Sequence, residues 1–254
     1  MAIPRQNQNL ERLDQVLVER GLFASRSRAR DAVLRGAVRI DGTLVQKPGQ
    51  GVLSDAEIAV DDPASGYVSR SALKLIAGLN RFGLDPSGAI ALDIGASTGG
   101  FTQVLLERGA ARVIALDVGH GQMHPKISAD PSVTRIDGCN ARDLDAAILG
   151  GAAPDFLVCD VSFISLKLAL PNALAMAAPS AKGLFLVKPQ FEAGREAIGK
   201  GGILRNPADG PRIAGDLADW LGTQPGWISL GHVPSPIAGG DGNQEFLLAG
   251  EKTR

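Results

Sequence analysis

The chain has 254 residues, 26 basic and 27 acidic side chains, 44% hydrophobic residues, 4% aromatic residues and 32 glycines. That length buries a substantial core in one large or two smaller domains without disulfide or metal staples, and the glycine surplus lacks the Gly-X-Y period of collagen. The two cysteines, Cys139 and Cys159, lie in apolar segments without CxxC spacing, so both read as core residues of a protein in a reducing compartment and no metal site is expected.

In chain order, Leu13, Val16 and Leu17 recur at helical spacing and Gly21 follows, which predicts a helix over residues 12–20. A second helix is capped by Ser25 or Ser27. Its arginines fall at i, i+4 (Arg26, Arg30) and i, i+7 (Arg28, Arg35), arraying guanidinium groups along the solvent side. Val38-Arg39-Ile40 and Thr43-Leu44-Val45 then flank Asp41-Gly42, the signal for a hairpin with a type I′ turn. Over this stretch Arg20, Arg26, Arg28, Arg30, Arg35 and Arg39 face a single acid, Asp31, so a net charge of −1 for the whole chain conceals a local basic patch. A solvated helix face is the bland explanation. Arginine without lysine favours phosphate, because the guanidinium fork matches it bidentately. The order helix, arginine-rich helix, hairpin resembles the S4-type RNA-binding domain over about residues 11–60. Residues 1–60 are therefore read as a small α+β module, and the polar, Pro- and Gly-containing 61–66 as a linker.

Residues 67–254 alternate strand and helix. Strand-like runs at residues 89–94, 112–118, 155–160 and 183–188, separated by helical patterns, predict a doubly wound, mostly parallel α/β sheet. Runs at 227–233 and 244–249 are separated by a Pro/Gly-rich loop without a helix, so they are expected to pair antiparallel at one edge. The most apolar stretch, 156–178, is broken by Asp160, Lys167, Pro171 and Asn172, and the opening residues carry no apolar run. A soluble cytoplasmic protein without a membrane partner is expected.

Asp93-Ile94-Gly95-Ala96-Ser97-Thr98-Gly99-Gly100-Phe101 follows a strand and opens a helix, so its glycines let a nucleotide-like cofactor approach the backbone. A dinucleotide fingerprint needs no acid two residues before its first glycine. A carboxylate there can accept hydrogen bonds from an ammonium group, which favours S-adenosylmethionine over NAD. Asp117 ends the next strand, where an acid commonly holds a ribose diol, and Asp137 lies near a third strand end within reach of an adenine. Lys74 falls in a helix with an apolar stripe of Ala72, Ile76 and Leu79, which puts it on the polar side beside Arg70 and Arg81. Asp160, Lys188 and Glu245 stand at strand ends or starts.

Taken together, the segments 67–75 (Tyr67 to Leu75), 159–166 (Cys159 to Leu166), 186–192 (Leu186 to Glu192) and 242–246 (Gly242 to Phe246), with Gly199-Lys200-Gly201-Gly202, resemble the TlyA family of RNA methyltransferases, also called hemolysin A-like. The likeness runs over almost the whole chain. It implies an S4-type domain joined to a Rossmann-like, FtsJ-like methyltransferase domain. The implied activity is transfer of methyl from S-adenosylmethionine to a ribose 2′-hydroxyl of ribosomal RNA, with ribosomal RNA or subunits as partner. The family's Lys-Asp-Lys-Glu tetrad maps onto Lys74, Asp160, Lys188 and Glu245. The cofactor set is then Asp93, Gly95, Ser97, Thr98, Gly99, Gly100, Phe101, Asp117, Asp137 and Asp160, and the RNA set the six arginines above with Arg70. Two departures stand out. The family commonly has Gly-Gly where this chain has Ser71-Ala72, and often an aromatic residue near Pro125.

In that scheme Lys188 takes the proton of the 2′-hydroxyl, while Asp160 and Glu245 orient Lys188 and Lys74. A catalytically silent RNA-binding or ribosome-assembly factor is the alternative reading, and a membrane-lytic protein a third. The modified nucleotide, the choice of ribosomal subunit and the oligomeric state are not written in the sequence.

Overall fold

The computed structural model describes residues 10–253; residues 1–9, part of the expected first module, lie outside the described residues. The chain divides into two compact units, with the boundary between Gly66 and Tyr67.

The first unit is built from β1 (Glu11–Arg12), α1 (Leu13–Glu19), α2 (Arg26–Leu34), β2 (Val38–Ile40), β3 (Thr43–Val45), β4 (Gly51–Val52) and β5 (Ile58–Val60). Ser25 caps α2 by accepting from the Arg28 amide. Asp41 and Gly42 both have positive φ, 47° and 77°, as the type I′ turn between β2 and β3 requires. β5, unforeseen in the sequence, pairs with the other edge of β2. Leu13, Val16, Leu17, Ala29, Ala32, Val33 and Val38 form the core under the helices. The stretch expected as a linker is tied down here: the Asp61 amide donates to the Ala37 carbonyl, and buried Asp62 accepts from Arg35 Nη2 at both carboxylate oxygens, each at 2.9 Å, and from the Ala64 amide.

The second unit runs α3 (Ala72–Phe82), β6 (Ile90–Ile94), α4 (Gly100–Glu107), β7 (Arg112–Asp117), α5 (Pro125–Ser128), β8 (Val133–Asp137), β9 (Phe156–Cys159), α6 (Leu166–Ala169), α7 (Pro171–Met176), β10 (Lys182–Val187), α8 (Pro189–Glu192), α9 (Asp209–Gly222), β11 (Trp227–Pro234) and β12 (Phe246–Lys252). Its strands form one seven-stranded sheet in the order β11-β12-β10-β9-β6-β7-β8. β12 is antiparallel to both its neighbours, so the reversed strand lies second from the edge and the predicted antiparallel pair forms that edge.

Alternate side chains enter two cores. Leu92, Ile94, Ile114, Leu116, Leu157 and Phe185 meet residues of α7 and α9, while Ala91, Val113, Phe156, Val158, Leu184 and Leu186 meet α3 and α4. Burial on both faces is why these strands read as continuous apolar runs and not as alternating ones. From β6 the chain moves outward through β7 and β8, then returns to lay β9 on the other side of β6. The order therefore reverses between β6 and β9, and in open α/β sheets the ligand crevice opens at such a point, beyond the carboxyl ends of the strands.

Candidate active site

Gly95 follows β6 and Asp160 follows β9, so the two flank that reversal point. A Cβ on Gly95 would lie 2.6 Å from the Asp160 carbonyl oxygen, and the residue has φ +82°. Only glycine lets the two strand ends come this close. Beside them is a cavity of about 380 Å³ whose wall includes Gly95, Ser97, Asp117, Val118, Cys139, Asn140 and Asp160. A smaller polar cavity of about 160 Å³ shares Gly95, Ser97, Asp160 and Ser162 with it, and adds Thr98, Phe101 and Lys188.

Most of the expected cofactor residues converge here, in different roles. Both Asp117 oxygens accept backbone amides, Ser97 at 2.8 Å and Gly119 at 2.7 Å, so this carboxylate shapes the loop and also faces the cavity. Asp93 is fully buried; its Oδ2 accepts from the Thr102 hydroxyl at 2.6 Å, while Oδ1 accepts no hydrogen bond from the described residues. Burial pushes its carboxyl up to about 7, and the negative Asp160 and Asp117 add to the rise. Gly99 and Gly100 are not on the cavity wall. Gly99 is the N-cap of α4 with φ +92°, and a Cβ on Gly100 would lie 2.5 Å from the Ser71 hydroxyl oxygen, so Gly100 serves close packing of α4 on the 69–71 segment. The Ser71 of the unusual Ser71-Ala72 pair thus fills the space Gly100 leaves, and its hydroxyl donates to Ser69 at 3.0 Å.

Asp137 is likewise off the cavity wall. Its carboxylate accepts the Gly121 amide at 2.9 Å and lies 3.3 Å from Arg135, and Cys139, Asn140 and Ala141 line the cavity in its place. Cys139 is half-buried, packed against the core while also lining that wall, whereas Cys159 is fully buried in β9.

The four tetrad residues form two ion pairs. Lys188 Nζ lies 2.6 Å from Asp160 and donates to the Ser162 hydroxyl at 2.9 Å. Lys74 pairs with Glu245, and both are buried. This corrects the expectation that Lys74 lies on the polar side of its helix. The buried stripe of α3 is Ala72, Leu75 and Leu79, with Ile76 only half-buried, and a second covered side takes Lys74 to the residue before β12. Sheet register explains how the pairs come together. Val187 of β10 stands opposite Phe246 of β12, so one residue further on, Lys188 stands opposite Glu245.

Two features escaped the sequence reading. Phe163 is 91% exposed at the cavity mouth with φ +67°, and its ring lies 5.1 Å from that of Phe191. Neither exposure nor backbone strain is legible in a residue type that composition would place in a core. The Gly199–Gly202 run, which reads as a mobile loop, is pinned: Asn243 accepts the Leu204 amide and donates to the Gly202 carbonyl, both at 3.0 Å.

The arginine patch is partly neutralised. Buried Asp14 takes Arg12 and Arg26, Arg35 is committed to Asp62, and Arg20 donates to the Ala56 and Ser54 carbonyls. Arg35 thus leaves the solvent side it was expected to occupy, because a buried carboxylate waits beneath it. Arg30 and Arg39 are exposed and Arg28 half-buried, with Arg39 donating to the Gly42 carbonyl and Arg28 to that of Ala64. Arg70 is half-buried just before α3.

A doubly wound sheet with a glycine-lined crevice at its reversal point, a buried acid behind it and two lysine–carboxylate pairs beside it defines a Rossmann-like methyltransferase. Residues 67–252 match the FtsJ-like methyltransferase family and residues 11–58 the S4 domain. The chain belongs to the TlyA family of these enzymes. It is 42% identical over 238 residues to the 16S/23S rRNA (cytidine-2′-O)-methyltransferase TlyA of Mycobacterium tuberculosis, covering 93% of this chain and 88% of that protein. To Hemolysin A of Brachyspira hyodysenteriae it is 37% identical over 93% of this chain and 98% of that one. A solved Streptococcus thermophilus structure that carries the name hemolysin superposes with a TM-score of 0.74 at 38% identity, over 97% of this chain and 90% of that one. Among the described residues no helix is long and apolar enough to cross a membrane.

Proposed function

We propose that the chain transfers a methyl group from S-adenosylmethionine to a ribose 2′-hydroxyl of ribosomal RNA. The observation that carries this reading is Lys188: its amine lines the smaller cavity and is held by Asp160 and Ser162, which line both cavities. Ser162 takes one hydrogen-bonding direction of the amine and Asp160 stands beside it as counter-ion, which leaves a direction for a substrate hydroxyl.

The residues fit the cofactor. The Gly95 turn admits close backbone approach, Asp117 presents a carboxylate to the larger cavity, and the orphaned Oδ1 of Asp93 behind the turn is an acceptor of the kind a cationic ligand satisfies. When bound, S-adenosylmethionine supplies an electrophilic methyl on a positively charged sulfur. The chain's own task is to hold the 2′-oxygen in line with that methyl and accept its proton. To act as the base, Lys188 must present a free electron pair on Nζ; it takes the hydroxyl proton there, Asp160 stabilises the ammonium formed, and Lys74 with Glu245 keeps the neighbouring strand end in place. The exposed Phe163 ring offers a surface on which an unpaired base stacks while its ribose reaches Lys188. The S4 domain anchors structured RNA through phosphate contacts from Arg26, Arg28, Arg30 and Arg39.

The test is transfer of labelled methyl to separated, unmodified small and large ribosomal subunits, followed by mapping of the modified ribose. Lys188→Ala is expected to lower transfer by at least about 100-fold with cofactor affinity nearly unchanged. No transfer by the wild-type protein to any RNA would replace this reading with that of a silent assembly factor.

A further inference from the structure

The loop from Asp160 to Ser165, between β9 and α6, carries two side chains outside the tetrad that face the proposed chemistry: Ser162, which accepts from Lys188, and the strained Phe163 at the mouth of the larger cavity. Its start is held by the Asp160–Lys188 pair. Its far end is held by Glu192, whose Oε2 accepts the Ser165 hydroxyl at 2.5 Å and whose Oε1 accepts the Leu166 amide at 2.8 Å. Between these anchors, Phe191 packs its ring on Phe163. All the partners, Lys188, Phe191 and Glu192, lie within five consecutive residues, the turn that leaves β10 and forms α8.

We propose that Glu192 is a positioning residue for methyl transfer: by clamping Ser165 and Leu166 it holds Ser162 against Lys188 and Phe163 over the cavity mouth. A residue with φ +67° and no β-sheet partner stays there only while the surrounding structure over-determines it. The Asp160–Lys188 pair fixes the loop at one point, about which it can pivot. The Glu192 clamp supplies a second point and the Phe191–Phe163 ring contact a third, and three points define an orientation. Glu192 touches neither cavity wall, so its effect passes through the loop. A carboxylate suits the task because it accepts two donors at once, a hydroxyl and an amide 26 to 27 residues away in sequence.

The inference rests on the proposed ribose methylation, and the experiment separates the two. Phe163→Trp, made in the otherwise intact protein and again with Glu192→Ala, adds a loop reporter to the native Trp220 and Trp227; its fluorescence anisotropy, taken as the difference from matched proteins that keep Phe163, reports the loop without any RNA. Lower anisotropy at the loop with an unchanged unfolding midpoint is expected when Glu192 is lost; unchanged anisotropy overturns the proposal whatever the substrate proves to be. In the background with Phe163 intact, Glu192→Ala is expected to lower kcat for methyl transfer about 10-fold or more while the Kd for S-adenosylhomocysteine, measured calorimetrically, stays within about threefold. Glu192→Gln, whose single carbonyl oxygen still accepts from Leu166 or Ser165, is expected to recover part of that loss, and Ser165→Ala to produce a smaller one. Equal kcat in wild type and Glu192→Ala overturns the positioning role. Absence of transfer by the wild-type protein counts against ribose methylation, and the anisotropy then decides the clamp alone.

Discussion

Lys74 and Glu245, 171 residues apart in the chain, meet as a buried ion pair that joins α3 to the start of β12. Taking two charges out of water is expensive, and removing one partner leaves the other buried and uncompensated. Lys74→Met or Glu245→Gln alone is therefore expected to destabilise the second unit by about 3 kcal/mol, and the double variant by less than the sum of the singles. Urea unfolding of the four proteins, wild type included, measures the coupling; strictly additive losses would show that the pair contributes nothing as a pair.

Asp93 predicts a pH dependence of stability with a definite sign. Its carboxyl is pushed from 3.8 to about 7 by burial in the folded chain. Between about pH 4 and pH 7 the unfolded chain has lost a proton that the folded chain keeps, so rising pH favours unfolding across that window. The full interval corresponds to about 4 kcal/mol as an upper figure. Asp93→Asn keeps an acceptor for Thr102 and removes the titration. The wild-type protein is expected to lose stability relative to this variant from pH 4 to pH 8, and parallel pH profiles of the two would refute the assignment.

At Gly95 the prediction concerns space. Alanine there meets the Asp160 carbonyl oxygen at 2.6 Å and must adopt φ +82°. Gly95→Ala is expected to cost about 1–3 kcal/mol of stability and to weaken S-adenosylhomocysteine binding by 10-fold or more, as thermal unfolding and calorimetry will show. Gly21→Ala, with positive φ but no atom within 4 Å of the added Cβ, separates backbone strain from steric exclusion at the site.

Arginines of the S4 domain divide into two kinds. Arg35, locked on buried Asp62, is expected to lower stability when replaced by alanine, whereas Arg30, exposed and without an ion pair among the described residues, is expected to leave stability within about 0.5 kcal/mol. Replacing Arg30 should instead reduce the salt dependence of RNA binding by about one counterion in the log–log slope. RNA titrations at several salt concentrations, with unfolding curves of the same variants, distinguish the two classes.

Much of this protein is legible in its sequence because local physics writes it there. Helical spacing with Gly21 and the Asp41-Gly42 turn specify the two helices and the hairpin of the S4 domain, though not β5. Apolar runs buried on both faces announce a parallel sheet, and the glycine turn after β6 together with the tetrad motifs marks the crevice. What only the tertiary structure decides is partnership. Lys74 reads as a polar-face residue because its partner arrives from the far end of the chain. Arg35 reads as RNA-facing because Asp62 is 27 residues away, and Asp137 and Gly100 read as cofactor contacts because nothing local reveals that Gly121 or Ser71 occupies them. Periodicity reports which face of an element is apolar. Which charge or hydroxyl meets a side chain is set by sheet register and by close approach of segments distant in sequence, and no local pattern encodes those.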